Sequence, residues 1–242
     1  MEMGKKRLLF VITQPVVGGA QKYVFDLARH FSRSGSYYEV SAAIGGDPEG
    51  DLFKRLAAEN IKTYRLRFLS RNINIGGDLA TIFDLVRLFH RERPDVVHLN
   101  SSKIGFLGCV AAFFYKLTTN NYKLKTIFTA HGWVFKEDLP CLTRLAAICL
   151  SWFSAKFHDG IICVSQDDFD LALKYKIASP RKLYVVYNAL VRPSFLPRYE
   201  ARTEISKLIG RAISNSAFMP VNLGRLYATK GLTCLIEAVK DL

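Results

Sequence analysis

Two cations five residues apart, Arg225 and Lys230, stand where an apolar run ending at Leu223 gives way to helical spacing from Leu232 onward. Gly224 and Gly231 flank them, so the segment reads as strand, turn and helix. Unpaired N–H groups at a helix N-terminus, joined by two fixed positive side chains, suit a diphosphate. The bland alternative is two exposed cations closing a turn. A second turn of this sort is Val16-Val17-Gly18-Gly19-Ala20-Gln21. Its glycines permit positive φ and close backbone approach, and the helix that follows offers N–H groups to an anion or a hydroxyl. The spacing is not the dinucleotide fingerprint G-x-G-x-x-G, which removes the main support for a nicotinamide reading; a plain turn is the competing one. His131, in Thr129-Ala130-His131-Gly132-Trp133, closes a third apolar run. An imidazole near neutrality can trade protons or hydrogen bonds with hydroxyl groups, and the glycine after it keeps the place uncrowded.

Other residues weigh less. His98 ends the run from Asp95 to Leu99 and reads first as a hydrogen-bonded structural histidine. Asn100-Ser101-Ser102 matches a glycosylation sequon but falls in a strand-to-helix turn, where it is discounted. Ser165, after Gly160 to Val164, is placed to cap a helix through its hydroxyl. The segment Leu145 to Lys156 carries Leu145, Ile148, Cys149, Trp152 and Phe153 with a thin polar face. It reads equally as a helix on a membrane interface or one buried against a sheet.

Positioning these side chains requires a regular frame, and the chain supplies one. Apolar runs at residues 8–13, 39–44, 63–66, 95–99, 126–130, 160–164 and 183–187 alternate with helical spacing over 21–31, 51–59, 77–91, 101–117, 143–157 and 166–175. Runs apolar throughout, separated by helices, predict an α/β domain: a doubly wound parallel sheet covered on both faces, Rossmann-like, over residues 1–190. Residues 191–216 hold Pro193, Pro197, Arg192, Arg198 and Arg202 and read as a linker followed by a helix from Glu204 to Ile213. Residues 217–242 read as the start of a second domain of the same kind. In such sheets ligands bind beyond the carboxyl ends of the strands, where Gly18, Gly19 and His131 fall.

Composition narrows the class. Half of the 242 residues are hydrophobic, enough for a substantial core, and no run approaches the ~18 apolar residues of a membrane span. The run after Lys5-Lys6-Arg7 is too short for a signal-peptide core. Five scattered cysteines, never as C-x-x-C and mostly within apolar segments as buried thiols are, argue against a disulfide framework or a zinc site and for a reducing, cytoplasmic setting. The formal charge of +13 is dispersed, without a nucleic-acid module. Anionic phospholipid or a plain basic surface remain as its readings.

Taken in order, the motifs resemble those of glycosyltransferase family 4, retaining enzymes of the two-domain GT-B fold. Gly18-Gly19-Ala20-Gln21 matches its G-G-A-[EQ] loop, Pro94-Asp95-Val96-Val97-His98 its P-D-[IV]-[IV]-H strand, and His131-Gly132 its H-G pair. Asp159 to Ser165 matches D-x-[IV]-[IV]-x-V-S, and Arg225 with Lys230 matches G-R-[LY]…K-G. Tyr187-Asn188-Ala189-Leu190 departs from the family's N-G-[IV]-[DN] turn, with Ala189 in place of Gly. The resemblance implies transfer of a glycosyl group from a nucleotide sugar to a hydroxyl with retention, in polysaccharide or glycolipid synthesis. It makes His131 the catalytic histidine, Arg225 and Lys230 the diphosphate-binding pair, and Gly18, Gly19 and Gln21 the loop bordering acceptor and phosphates. It implies no cofactor and no metal, the two cations serving instead. The expected partners are a nucleotide sugar, a carbohydrate or lipid-linked acceptor and an anionic membrane surface on the cytoplasmic side, with no nucleic acid. The family's E-x7-E pair has no counterpart in these 242 residues, so the isolated chain is expected to be an incomplete, poorly active piece. A non-catalytic acceptor- or membrane-binding module, or a sugar-nucleotide epimerase of GT-B type, are the competing readings.

Overall fold

The computed structural model describes residues 5–33, 37–189, 194–214, 216–222, 224 and 231–240. The chain divides into two compact units, Met1–Asn188 and Ala189–Leu242. Unit one alternates strands and helices: β1 (Lys6–Ile12), α1 (Gly19–Arg33), β2 (Tyr38–Gly45), α2 (Asp51–Ala58), β3 (Lys62–Leu66), α3 (Ile75–Glu92), β4 (Val96–Leu99) and α4 (Ser102–Thr119). It continues with β5 (Lys125–Ala130), a single 3-10 turn at Val134–Lys136, α5 (Cys141–Ala155), β6 (Gly160–Cys163), α6 (Gln166–Lys174), a 3-10 turn at Pro180–Lys182 and β7 (Leu183–Val185). The seven strands form one sheet in the order β3-β2-β1-β4-β5-β6-β7, parallel throughout. This is the doubly wound, Rossmann-like α/β architecture expected from the alternation of apolar runs.

The apolar runs are continuous because both faces of the sheet are covered. Along β1, Leu8, Phe10 and Ile12 point to a core built with Val24, Phe25 and Ala28 of α1 and Leu52 and Leu56 of α2. The alternate residues Leu9 and Val11 point to a second core with Leu85 and Phe89 of α3 and Ile104, Leu107 and Ala111 of α4. All of these side chains are buried, and burial at this density is what holds the frame. Helix starts are set by side-chain caps. Asn74 Oδ1 accepts from Gly77 N at 3.0 Å and Ser165 Oγ from Asp168 N at 3.1 Å, while Ser101 Oγ accepts from Ile104 N at 3.3 Å. Each satisfies an N–H group the helix itself cannot pair.

Three sequence expectations need correction. Cys109 and Cys163 are buried thiols, but Cys141 and Cys149 are exposed, because α5 presents an apolar side outward, and Cys234 in unit two is exposed as well. The linker does not run to residue 203: in unit two a helix, α7 (Arg198–Ile209), begins directly after Pro197. Its Arg202 is buried and makes up for that by donating Nη2 to Ala217 O at 2.6 Å and Nη1 to Ser214 O. Finally, the described residues of the expected strand 218–223 carry no strand hydrogen bonds, since a single apolar run has no neighbour to pair with among the described residues. Among the described residues this unit also holds α8 (Leu232–Lys240).

Candidate functional site

Strands β1, β4 and β5 lie side by side, so their carboxyl ends open onto a common edge. From β1 the chain passes through Thr13, Gln14 and buried Pro15 into α1. This loop is anchored by Leu52 N donating to Pro15 O at 3.1 Å and by Gln21 Nε2 donating to Gln14 O at 3.0 Å. Gln21 therefore braces its own loop. Gly18 O accepts from Lys22 N at 2.9 Å in the first turn of α1, and a Cβ at Gly19 would meet nothing within 4 Å. One turn further along α1, Tyr23 reaches across to the ends of β4 and β5.

There Tyr23 meets both histidines. Its ring stands edge-on to His131 at 4.9 Å between centroids and edge-on to His98 at 6.0 Å. Its hydroxyl shares a hydrogen bond with Thr129 Oγ1 at 3.3 Å, and the same oxygen is hydrogen-bonded to His98 Nε2 at 2.7 Å. Phe10 closes the far side of His98 at 5.2 Å. His98 is thus the hydrogen-bonded, buried histidine that the strand pattern favours. Asn100 is fully buried and ties Nδ2 to His98 O at 2.8 Å.

Two buried atoms at this edge have no hydrogen-bond partner among the described residues: His131 Nε2 and Asn100 Oδ1. An unpartnered buried polar atom costs stability and calls for an explanation, of which a ligand is one. His131 precedes Gly132, whose φ of +114° excludes other residues without strain and whose Cβ position is open space. Burial pushes the His131 imidazole down to about 4. Burial, and then the neighbouring His131, push His98 down to about 3. Burial also raises the Tyr23 phenol, against its bond to Thr129. Near neutral pH the cluster is consequently uncharged, a set of donors and acceptors suited to hydroxyl groups and not to ion pairing.

The structure brings His131 together with the helix that carries Gly19 and Gln21 and that Gly18 precedes, and Tyr23 is the link. Arg225 and Lys230 lie outside the described residues. Tyr23 and Thr129 went unread in the sequence, yet each had a signal. Tyr23 is one helical turn beyond Gly19, and Thr129 shares a side of β5 with His131 through period two. Among the described residues no group of three or more His, Cys, Asp or Glu side chains is placed to hold a metal ion.

Comparison with known proteins adds three findings. The model of glycosyltransferase family 4 matches residues 17–190. An Escherichia coli UDP-Gal:alpha-D-GlcNAc-diphosphoundecaprenol alpha-1,3-galactosyltransferase is 26% identical over 182 residues, 75% of this chain and 45% of its own length. The chain thus spans less than half of that relative. Among solved structures, sucrose-phosphate synthase from Thermosynechococcus elongatus superposes with a TM-score of 0.71 at 15% identity, over 98% of this chain and 60% of the synthase. The Anabaena protein HepE, in complex with UDP and glucose, gives 0.68 at 20% identity over 97% and 57%. At these identities the structural likeness speaks for the fold alone.

Proposed function

The chain belongs to glycosyltransferase family 4, and from that premise we propose that it forms the acceptor-side domain of an enzyme moving a glycosyl group from a nucleotide sugar to a hydroxyl, with retention at the anomeric carbon. The observation that carries the proposal is the buried, unpartnered Nε2 of His131 at the carboxyl edge of β5. A neutral imidazole there can hold a sugar hydroxyl beside the reacting carbon, and Tyr23 fixes the plane of its ring. Gly18 and Gly19 leave the start of α1 uncovered for acceptor and phosphate groups, with Gln21 stiffening their loop. Negative charge grows on the nucleotide diphosphate as its bond to the sugar breaks. Arg225 and Lys230 are assigned to neutralise it, the dominant electrostatic demand of such chemistry. With these two cations in that role the reaction is proposed to need no metal and no cofactor.

The E. coli relative is named for a sugar acceptor carried on diphosphoundecaprenol. A lipid-linked or carbohydrate acceptor, a part in polysaccharide or glycolipid synthesis, and peripheral attachment to the inner face of a membrane are therefore proposed here too. No Glu pair at E-x7-E spacing occurs in the 242 residues, so turnover by this chain alone is expected to be slow. The test is nucleotide release from a panel of labelled nucleotide sugars, with and without an isoprenyl-diphosphate sugar, followed over a long time course. Acceptor-dependent release that His131→Ala removes supports the reading. Conversion of the sugar nucleotide without acceptor dependence contradicts it and favours epimerase chemistry.

A further inference from the structure

Between the last paired residue of β5 and the first buried residue beyond it stand only His131 and Gly132. The β5–β6 register ends with Ala130 opposite Cys163, so the sheet does not hold the His131 backbone. Trp133 then turns inward. Its ring is buried, stacked on Phe135 at 5.4 Å and 18° and tilted against Phe128 at 6.1 Å. Whatever fixes Trp133 fixes the far side of His131.

Helix α6 fixes it. Trp133 Nε1 donates to Asp168 O at 2.8 Å, a buried bond between residues 35 apart in the chain. That carbonyl lies in the first turn of α6, where the helix takes one lone pair for the N–H four residues on and the indole takes the other. The receiving turn is itself locked. Ser165 Oγ accepts from Asp168 N at 3.1 Å and donates to Asp168 Oδ2 at 2.7 Å. Two more anchors follow within three residues. Phe135 stands edge-on to Tyr175, the residue that closes α6, at 5.2 Å, and Lys136 pairs with Asp167 in the same first turn. Lys136 N donates to Trp133 O at 3.0 Å, which makes the 3-10 turn one stiff piece. Residues 133–136 are therefore a strap from β5 to α6, and His131 is the residue it pulls on.

Apolar packing alone would be met by a phenylalanine. The indole N–H adds direction, since a hydrogen bond sets the depth and rotation of the ring more narrowly than apolar contact does. Precision of that kind matters beside a reacting centre, where a misplacement of about 1 Å can cost roughly 10²-fold in rate. Tyr23 braces the His131 ring from the α1 side, and the strap sets the backbone that carries it. We propose that Trp133 is a positioning residue for His131: its indole bond to α6 holds the turn at Gly132 at one setting and so aims His131 Nε2 at the sugar hydroxyl.

This deepens the role given to His131 above and rests on it. The test compares the wild type with Trp133→Phe, which keeps a buried ring and deletes the donor, and with His131→Ala as the control for the underlying reading. Trp133→Phe is expected to melt within a few degrees of the wild type and to keep the acceptor concentration that half-saturates nucleotide release. Release at saturation should nevertheless fall about tenfold. In histidine-selective NMR the His131 ring signals should move, while those of His90 in the last turn of α3 stay. Either reading unchanged in Trp133→Phe overturns the inference, and a loss confined to half-saturation overturns it in favour of acceptor contact. If His131→Ala still removes release in those cases, the reading of His131 stands; release by His131→Ala equal to the wild type overturns both. If the chain alone turns over too slowly to time, the NMR signals decide by themselves. Should Trp133→Phe melt far below the wild type, Lys136→Gln takes its place: a loosened outer anchor should lower release about threefold and shift the His131 signals, and no shift overturns the inference.

Discussion

At the carboxyl edge of the sheet, His98 is tied to Thr129, and His131 leans on Tyr23 with a ring nitrogen left unpartnered. At the amino edge, His158 lies flat against Phe128, at 5.3 Å and 19°, with neither ring nitrogen partnered. Beside it Asp159 is saturated: it accepts from Thr126 N at 2.9 Å, Thr126 Oγ1 at 3.2 Å and Lys125 Nζ at 2.8 Å, with Lys116 at 3.6 Å. At the amino edge Asp159 gathers opposite charges and stitches β5 to the chain entering β6, while His158 is sealed against apolar Phe128. The other keeps neutral polar groups with spare bonding capacity around an open glycine. In the proposed reading stability is assigned to the amino edge and a ligand to the carboxyl edge, where doubly wound sheets bind theirs.

The sharpest break of that contrast is His131→Ala, expected to lower acceptor-dependent nucleotide release by roughly 10²-fold while leaving thermal unfolding close to the wild type. A comparable loss of stability would place His131 among the structural residues. Asp159→Ala should do the reverse. Removing a carboxylate that gathers backbone, hydroxyl and ammonium partners is expected to cost about 2 kcal/mol in urea unfolding, with acceptor binding to the folded fraction unchanged.

The next effect depends on pH. His158 is held down to about 3, by burial first and then by Lys182. A histidine depressed in the folded state contributes nothing adverse above its unfolded value near 6.5. As pH falls through that value, the unfolded chain takes up protons that the folded chain refuses, and stability is lost until the folded value is reached. His98 and His131 act in the same sense. His158→Phe keeps the stack on Phe128 and removes two unpartnered nitrogens. It should be neutral or slightly stabilising at pH 7.5 and recover about 1–2 kcal/mol of the loss at pH 5. Equal acid sensitivity in the variant would assign the loss to the other edge. Smallest is Tyr23→Phe, which keeps the ring packing and deletes the hydroxyl bond to Thr129. Chemical denaturation should show no more than about 1 kcal/mol, and nucleotide release a change of a few-fold at most.

The frame was legible because strands buried on both faces announce themselves as unbroken apolar runs: all seven elements read as strands in unit one pair in the sheet. Ends shifted by one or two residues where caps decide them, as with Asn74 ahead of α3. The strand expected after Phe218 failed for a different reason, since apolar content gives a strand only where a neighbour pairs its backbone. Within the site His131 was legible from its place at a strand end. Tyr23 and Thr129 were not, because their role comes from α1 crossing the ends of β4 and β5, a proximity 106 residues apart in the chain. Helix α5 read equally as interfacial or buried, because its spacing shows apolar residues without telling which way they face: Ala147, Ile148 and Ala155 pack on the core, while Leu142, Leu145, Trp152 and Phe153 are exposed.

The claim that the carboxyl edge is the ligand edge is tested most directly by histidine-selective NMR during titration with acceptor and nucleotide sugar. The His131 ring signals should move, those of His98 should follow more weakly through Thr129 and Tyr23, and His158 should stay in place. Movement of His158 with His131 unmoved would contradict the account.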